Sequence, residues 1–129
     1  MAWETVQLKG NALGRNTPSI SVGHKRLALN KAACELMETK KRNYRYVQFM
    51  EDSKNANIIG IRFWKGNANL HCIPVKEKLI DGKPVGGLEV ANANLMRQLF
   101  GDTADQTSVK KYRVKKDENH PHVLIVFRS

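Results

Sequence analysis

The side chains with chemistry to offer in this chain are mostly cationic, and they come in groups. Lys25-Arg26 stand together, Lys40-Lys41-Arg42 form a run with Arg45 just beyond, and Lys111, Arg113 and Lys115 alternate. Clustered Lys and Arg displace condensed counterions from a polyanion, so these nine residues are the candidate nucleic-acid contacts. Cations at a helix C-terminus also complement its dipole, but three in succession exceed what one helix end needs. Alternating cations on a strand share one face; such a face either meets phosphates or keeps a sheet edge soluble. Tyr44, Tyr46 and Trp64 are of the kind that stack on unpaired bases, although packing is the commoner use of such rings.

Catalytic patterns are missing. The chain contains no Gly-x-Ser-x-Gly, no Gly-rich loop ahead of a Lys-Ser/Thr pair and no HExxH. His71-Cys72 and His120-Pro121-His122 do not complete a zinc-type set of ligands, so no metal, cofactor or catalytic residue is expected. Glu51-Asp52 and Asp117-Glu118 read as turn residues rather than an acid–base pair. The two cysteines, Cys34 and Cys72, make no disulfide framework. Cys34, among Ala32, Ala33, Leu36 and Met37, reads as a small core residue, and a reducing cytoplasmic setting is expected.

The 129 residues amount to one domain. Lys and Arg number 22 against 12 Asp and Glu, a formal charge of +10, and 41% of residues are hydrophobic. That hydrophobic content excludes a disordered chain. The longest apolar run, Val123 to Phe127, is far short of the ~18 residues of a membrane helix. Residues 1–13 carry Glu4 and no apolar stretch, so no secretory signal is expected. The charge is uneven, +7 through Lys65 and +3 beyond it.

These groups need elements to hold them. Residues 1–18 read as an irregular leader, in which Trp3 is expected to pack on the domain. Ser19 to Leu29 alternates around a turn at Gly23-His24, which predicts a hairpin. Asn30 then caps a helix from Lys31 to about Lys41. Tyr44 to Glu51 and Ile58 to Trp64 read as strands around a turn at residues 52–57. Further on, His71 to Lys76 is strand-like, residues 81–87 form a long turn region, and Leu88 to Val90 is a short strand. Asn92 caps a second helix carrying Leu95, Met96, Leu99 and Phe100, which Gly101 stops. Val109 to Lys116 and Val123 to Phe127 complete the chain as strands.

The second half repeats the order of the first. Residues 44–63 overlie 109–128 at a shift of 65, matching Phe49 with Val114, Asp52 with Asp117 and Ile61 with Val126. The expected fold is therefore α+β: two pseudo-repeats of strand-strand-helix-strand-strand, 19–65 and 66–129, sharing one core. The stretch Gly23 to Ala33, then Tyr46-Val47-Gln48-Phe49 and Ile59-Gly60-Ile61, resembles the SpoVT/AbrB swapped-hairpin family, in a tandem MraZ-like arrangement. The resemblance implies duplex DNA binding by a β-rich homodimer, with Lys25-Arg26 on its basic strand. The expected function is a non-enzymatic, nucleic-acid-binding protein, a small bacterial or phage DNA-binding regulator without membrane contact. Its main basic surface would be Lys25, Arg26, Lys40, Lys41, Arg42 and Arg45, and its second Lys111, Arg113 and Lys115. The alternatives are an inhibitor, interaction or structural module for an acidic protein partner, and a binder of single-stranded nucleic acid.

Overall fold

A computed structural model describes residues 2–4 and 17–128. Alternating apolar residues put much of this chain into strands. In chain order they are β1 (Ser19–Gly23), β2 (Arg26–Leu29), helix α1 (Lys31–Met37), β3 (Tyr46–Glu51), β4 (Ile58–Trp64), β5 (Ile73–Pro74), β6 (Lys76–Ile80), β7 (Lys83–Ala91), helix α2 (Ala93–Phe100), β8 (Lys110–Lys116) and β9 (Val123–Phe127). A 3-10 turn, Gly101–Asp105, follows α2.

All nine strands form one antiparallel sheet in the order β5-β3-β4-β9-β8-β1-β2-β7-β6. Its two ends are neighbours in sequence: β5 runs through Val75 into β6, and the Val75 N–H bonds the Arg45 carbonyl at 2.9 Å. The sheet therefore curls into a nearly closed barrel. Inward residues of every strand but β5 and β6 fill it, among them Ile20, Val22, Leu27, Leu29, Val47, Ile59, Ile61, Phe63, Val90, Leu124 and Val126. Each fully buried side chain of this size contributes about 1.5–3 kcal/mol, which makes the interior the main source of stability. The helices follow β2 and β7, which are antiparallel partners, so they sit at opposite ends of the barrel. Ala33 and Met37 of α1 and Met96 and Leu99 of α2 close the core there.

Both helices start as the sequence predicts. Asn30 Oδ1 accepts from the Ala33 N–H at 2.8 Å, and Asn92 Oδ1 from the Leu95 N–H at 3.0 Å. Gly101, at φ 61°, ends α2. Cys34 is buried, and burial pushes its thiol pKa up. The hairpins β3–β4 and β8–β9 share one loop design. Asp52 accepts from the Lys54 N–H and Asp117 from the Asn119 N–H, at 2.8 and 2.9 Å. The Ile58 N–H bonds the Asn55 carbonyl as the Val123 N–H bonds that of His120.

Four expectations are corrected. α1 ends at Met37, because Glu38 turns left-handed (φ 54°) and its N–H closes on the Cys34 and Glu35 carbonyls. The run Lys40-Lys41-Arg42 thus lies in a turn beyond the helix. The long turn expected at 81–87 is a two-residue turn, Asp81-Gly82, both at positive φ, between strands that continue through Pro84, Gly86 and Gly87. The strand expected over 71–76 shrinks to Ile73–Pro74 before Val75 and β6. Trp3 is 88% exposed rather than packed; the rest of the leader, residues 5–16, lies outside the described residues.

Asn30 does more than cap. Its Oδ1 also accepts from the Ser19 N–H, and its Nδ2 donates to the Thr17 carbonyl and to Ser19 Oγ. Asn92→Ala is expected to cost about 1 kcal/mol, and Asn30→Ala clearly more, because it also strands β1 groups. Urea denaturation of the two variants checks the order.

Candidate nucleic-acid interface

A barrel strand sends alternate side chains outward, so register decides which cations share a surface. On β8, Tyr112 and Val114 point in, while Lys111, Arg113 and Lys115 point out and are exposed. Arg113 lies across from Ser19 and Lys111 from Ser21 on β1. Ser21 in turn faces Ala28 on β2, and Ala28 faces Glu89 on β7. Glu89 faces Lys76 on β6. Alternation along β6 adds Lys78 and Ile80 to the same outer face; beyond a bulge in β7 between the Glu77–Leu88 and Leu79–Pro84 pairs, Lys83 lies opposite Ile80 and Val85 follows it. The five strands β8-β1-β2-β7-β6 thereby present Lys111, Arg113, Lys115, Arg26, Lys76, Lys78 and Lys83 across a floor of Ser19, Ser21 and Ala28. The one carboxylate among them, Glu89, is held by Arg26 at 3.6 Å.

The remaining candidates go elsewhere. Lys25 occupies the β1–β2 turn in a left-handed conformation (φ 62°), its N–H on the Ala104 carbonyl at 2.6 Å. The 40–45 run sits at the opposite end of β2, past α1. The six residues read as one main surface are therefore split between two ends of the barrel. Within the run, Arg42 is tied to Glu38 at 2.9 Å, and Arg45 donates to Asn43 at 3.3 Å. Lys40 and Arg45 do come together, lining a groove of about 740 Å³ with Tyr46, Pro74, Glu77 and Gly87 where the barrel is least closed.

The outer face of β3, β4 and β9 is different in kind. It carries Met50, Ile58, Gly60, Ile125 and Phe127, partly covered and apolar. At its end a cavity of about 480 Å³ is walled by Tyr44, Arg62, Trp64, Lys65 and His122. The Arg62 guanidinium lies over the Trp64 ring, 4.4 Å from its centroid. Tyr44 is buried, and its hydroxyl meets His122 Nδ1 at 2.5 Å, so it packs rather than stacks. His120 is engaged by Asp117 at 3.2 Å. Among the described residues no group of three His, Cys, Asp and Glu side chains comes together to hold a metal ion, and no helix is long and apolar enough to cross a membrane.

Comparison with models of known protein families, with curated proteins and with solved structures gives no match. The functional reading therefore stands on this geometry. Sequence reasoning missed Lys76, Lys78 and Lys83 on the outer face. The signal was present: Asp81-Gly82 is a favoured two-residue hairpin turn, and Lys76-Glu77-Lys78 alternates ahead of it.

Three carboxyls around these surfaces sit below their ordinary values: Glu38 beside Arg42, Asp105 beside Arg97, and Asp117 under the Asn119 N–H. A lowered carboxyl stabilises the fold above its unfolded pKa of about 4, and that contribution is lost as pH falls through the folded value. Stability should fall between about pH 5 and pH 2, and Asp105→Asn should flatten part of that fall. Urea melts at stepped pH measure it; an unaltered profile would mean that the Arg97–Asp105 pair contributes nothing.

Proposed function

We propose that this chain is a non-enzymatic nucleic-acid-binding protein whose ligand is duplex DNA, bound on the outer face of β8-β1-β2-β7-β6. The observation that carries the reading is that face itself. Seven cations from four strands stand on it with a single, already paired carboxylate. Lys111, Arg113 and Lys115 are spaced about 6.8 Å apart along β8, twice the ~3.4 Å axial rise per phosphate of one DNA strand. Lys40, Lys41 and Arg45 form a secondary basic region, with Arg42 largely neutralised by Glu38.

We further infer that the chain arose by duplication of a strand-strand-helix-strand-strand unit, the reading to which its resemblance to tandem swapped-hairpin proteins belongs. The support is in the pairing. β3 meets β4 with Gln48 opposite Arg62, and β8 meets β9 with Val114 opposite Val126, the same register once shifted by the 65 residues read from sequence. The two loops share their Asp-capped turns. The copies differ in their outward residues: those of β8 are cationic, those of β3 are Tyr46, Gln48 and Met50.

A second reading, an interaction module for an acidic protein, is favoured by one observation, the apolar outer face at Met50, Ile58 and Ile125.

Gel shifts with duplex DNA, single-stranded DNA and RNA at two salt concentrations test the proposal. Duplex binding should weaken steeply with salt. The triple change of Lys111, Arg113 and Lys115 to Glu should weaken it at least tenfold and reduce the salt slope by about 3, one unit per phosphate contact. Reversal of Lys40, Lys41 and Arg45 should have a smaller effect. No binding at low salt overturns the reading, and a protein that co-purifies after nuclease treatment would replace it with the second.

A further inference from the structure

The β6–β7 hairpin is the most unusual surface of the molecule. Leu79 is 53% exposed, Ile80 54% and Val85 39%, so half of the large exposed hydrophobics among the described residues lie on this one hairpin. Monomeric domains seldom leave such side chains grouped in water without a partner. The hairpin is well built all the same. Asp81 and Gly82, at φ 52° and 77°, make the tight turn whose twist matches paired strands.

Its base is fixed by two glycines. A Cβ on Gly87 would stand 2.5 Å from the Leu29 carbonyl oxygen, and one on Gly86, already at φ 82°, would stand 2.9 Å from Lys31 Cγ. The absence of side chains there lets β7 lie against β2 and α1. Beyond these contacts residues 79–86 are all exposed, so the hairpin projects as an arm.

The two faces of the arm differ. Along β6, Glu77 and Leu79 alternate with Lys76, Lys78 and Ile80, which continue the cationic face; past the bulge in β7, Pro84 pairs with Leu79 and Lys83 with Ile80, and Val85 follows Lys83 on the outer side. No carboxylate interrupts that side between Lys76 and Val85; Asp81 belongs to the turn. An arm meant for another protein's apolar surface would gain little from three lysines around its two apolar residues. A polyanion with apolar features inside a groove suits it: thymine methyl groups line the major groove, which at about 12 Å wide admits a two-stranded ribbon.

We propose that the β6–β7 arm enters a groove of duplex DNA, with Lys76, Lys78 and Lys83 on the phosphates and Ile80 and Val85 against the base edges. This rests on the duplex-binding reading above and adds to it the element that contacts bases.

The two kinds of contact separate by salt dependence. With the full chain and a 30-base-pair duplex, fluorescence anisotropy across a salt series should show the Ile80→Ser/Val85→Ser variant about tenfold weaker at every salt, with an unchanged slope. Lys78→Gln/Lys83→Gln should lose affinity mainly at low salt, with a slope smaller by about 2. Both variants should melt close to the parent, since Ile80, Lys83 and Val85 are exposed and Lys78 is only half-buried. Parent-like affinity of the serine variant overturns the arm while leaving the duplex reading intact. So does a serine variant that keeps its affinity but sediments as a smaller species, which would make the arm a contact between copies of this chain. A parent that binds no duplex at low salt overturns both.

Discussion

The interior of the barrel can accept almost nothing but apolar atoms, and the rest of the molecule is arranged around that constraint. Burying an unpaired charge costs far more than any surface contact returns. With 22 Lys and Arg in 129 residues, alternation along the barrel strands sends their cations to the outside or to the ends. The pleat then sorts what remains. Once Tyr112 and Val114 are committed to the core, Lys111, Arg113 and Lys115 have only one direction left. The proposed interface is in this sense a by-product of core packing, made coherent because neighbouring strands place serine and alanine in the same rows.

The ends of the barrel pose a different problem, since a cylinder of strands leaves its core open to water at both mouths. α1 and α2 answer it from opposite sides, each launched by an asparagine that satisfies a backbone N–H of the first turn. Asn30 also joins the helix start to β1 through Ser19 and Thr17. Helix placement and strand pairing are thereby linked at one residue. At the far end of α1 the chain reverses through Glu38, whose left-handed backbone and hold on Arg42 shape the turn that presents Lys40 and Arg45.

Much of the fold was legible because its signals are local. Alternation marked β1, β2, β3, β4, β8 and β9; Asn30 and Asn92 announced both helices; the shift of 65 aligned two hairpins whose registers do correspond. The failures were local as well, and each has a cause. The helix signal of Lys31 to Met37 shades into Lys40 and Lys41, which are good helix formers, so only the backbone of Glu38 reveals the stop. Pro84, Gly86 and Gly87 read as loop residues, yet an outlying strand tolerates a proline, and the close approach of β7 to α1 requires the glycines.

The chain by itself determined the class of molecule: a folded, strongly basic, mostly β protein with two capped helices and no recognisable catalytic pattern. Composition and period-2 patterning suffice for that, because they describe what each residue does with its nearest neighbours. Tertiary structure alone decided which cations share a surface. It separated Lys25 from the 40–45 run by the length of β2, tied Arg42 to Glu38, and added Lys76, Lys78 and Lys83 to the face of Lys111 and Arg113. Those groupings depend on the order of strands in the sheet. Strand order is set by long-range pairing between residues as far apart as Ser19 and Arg113, and no local pattern encodes it.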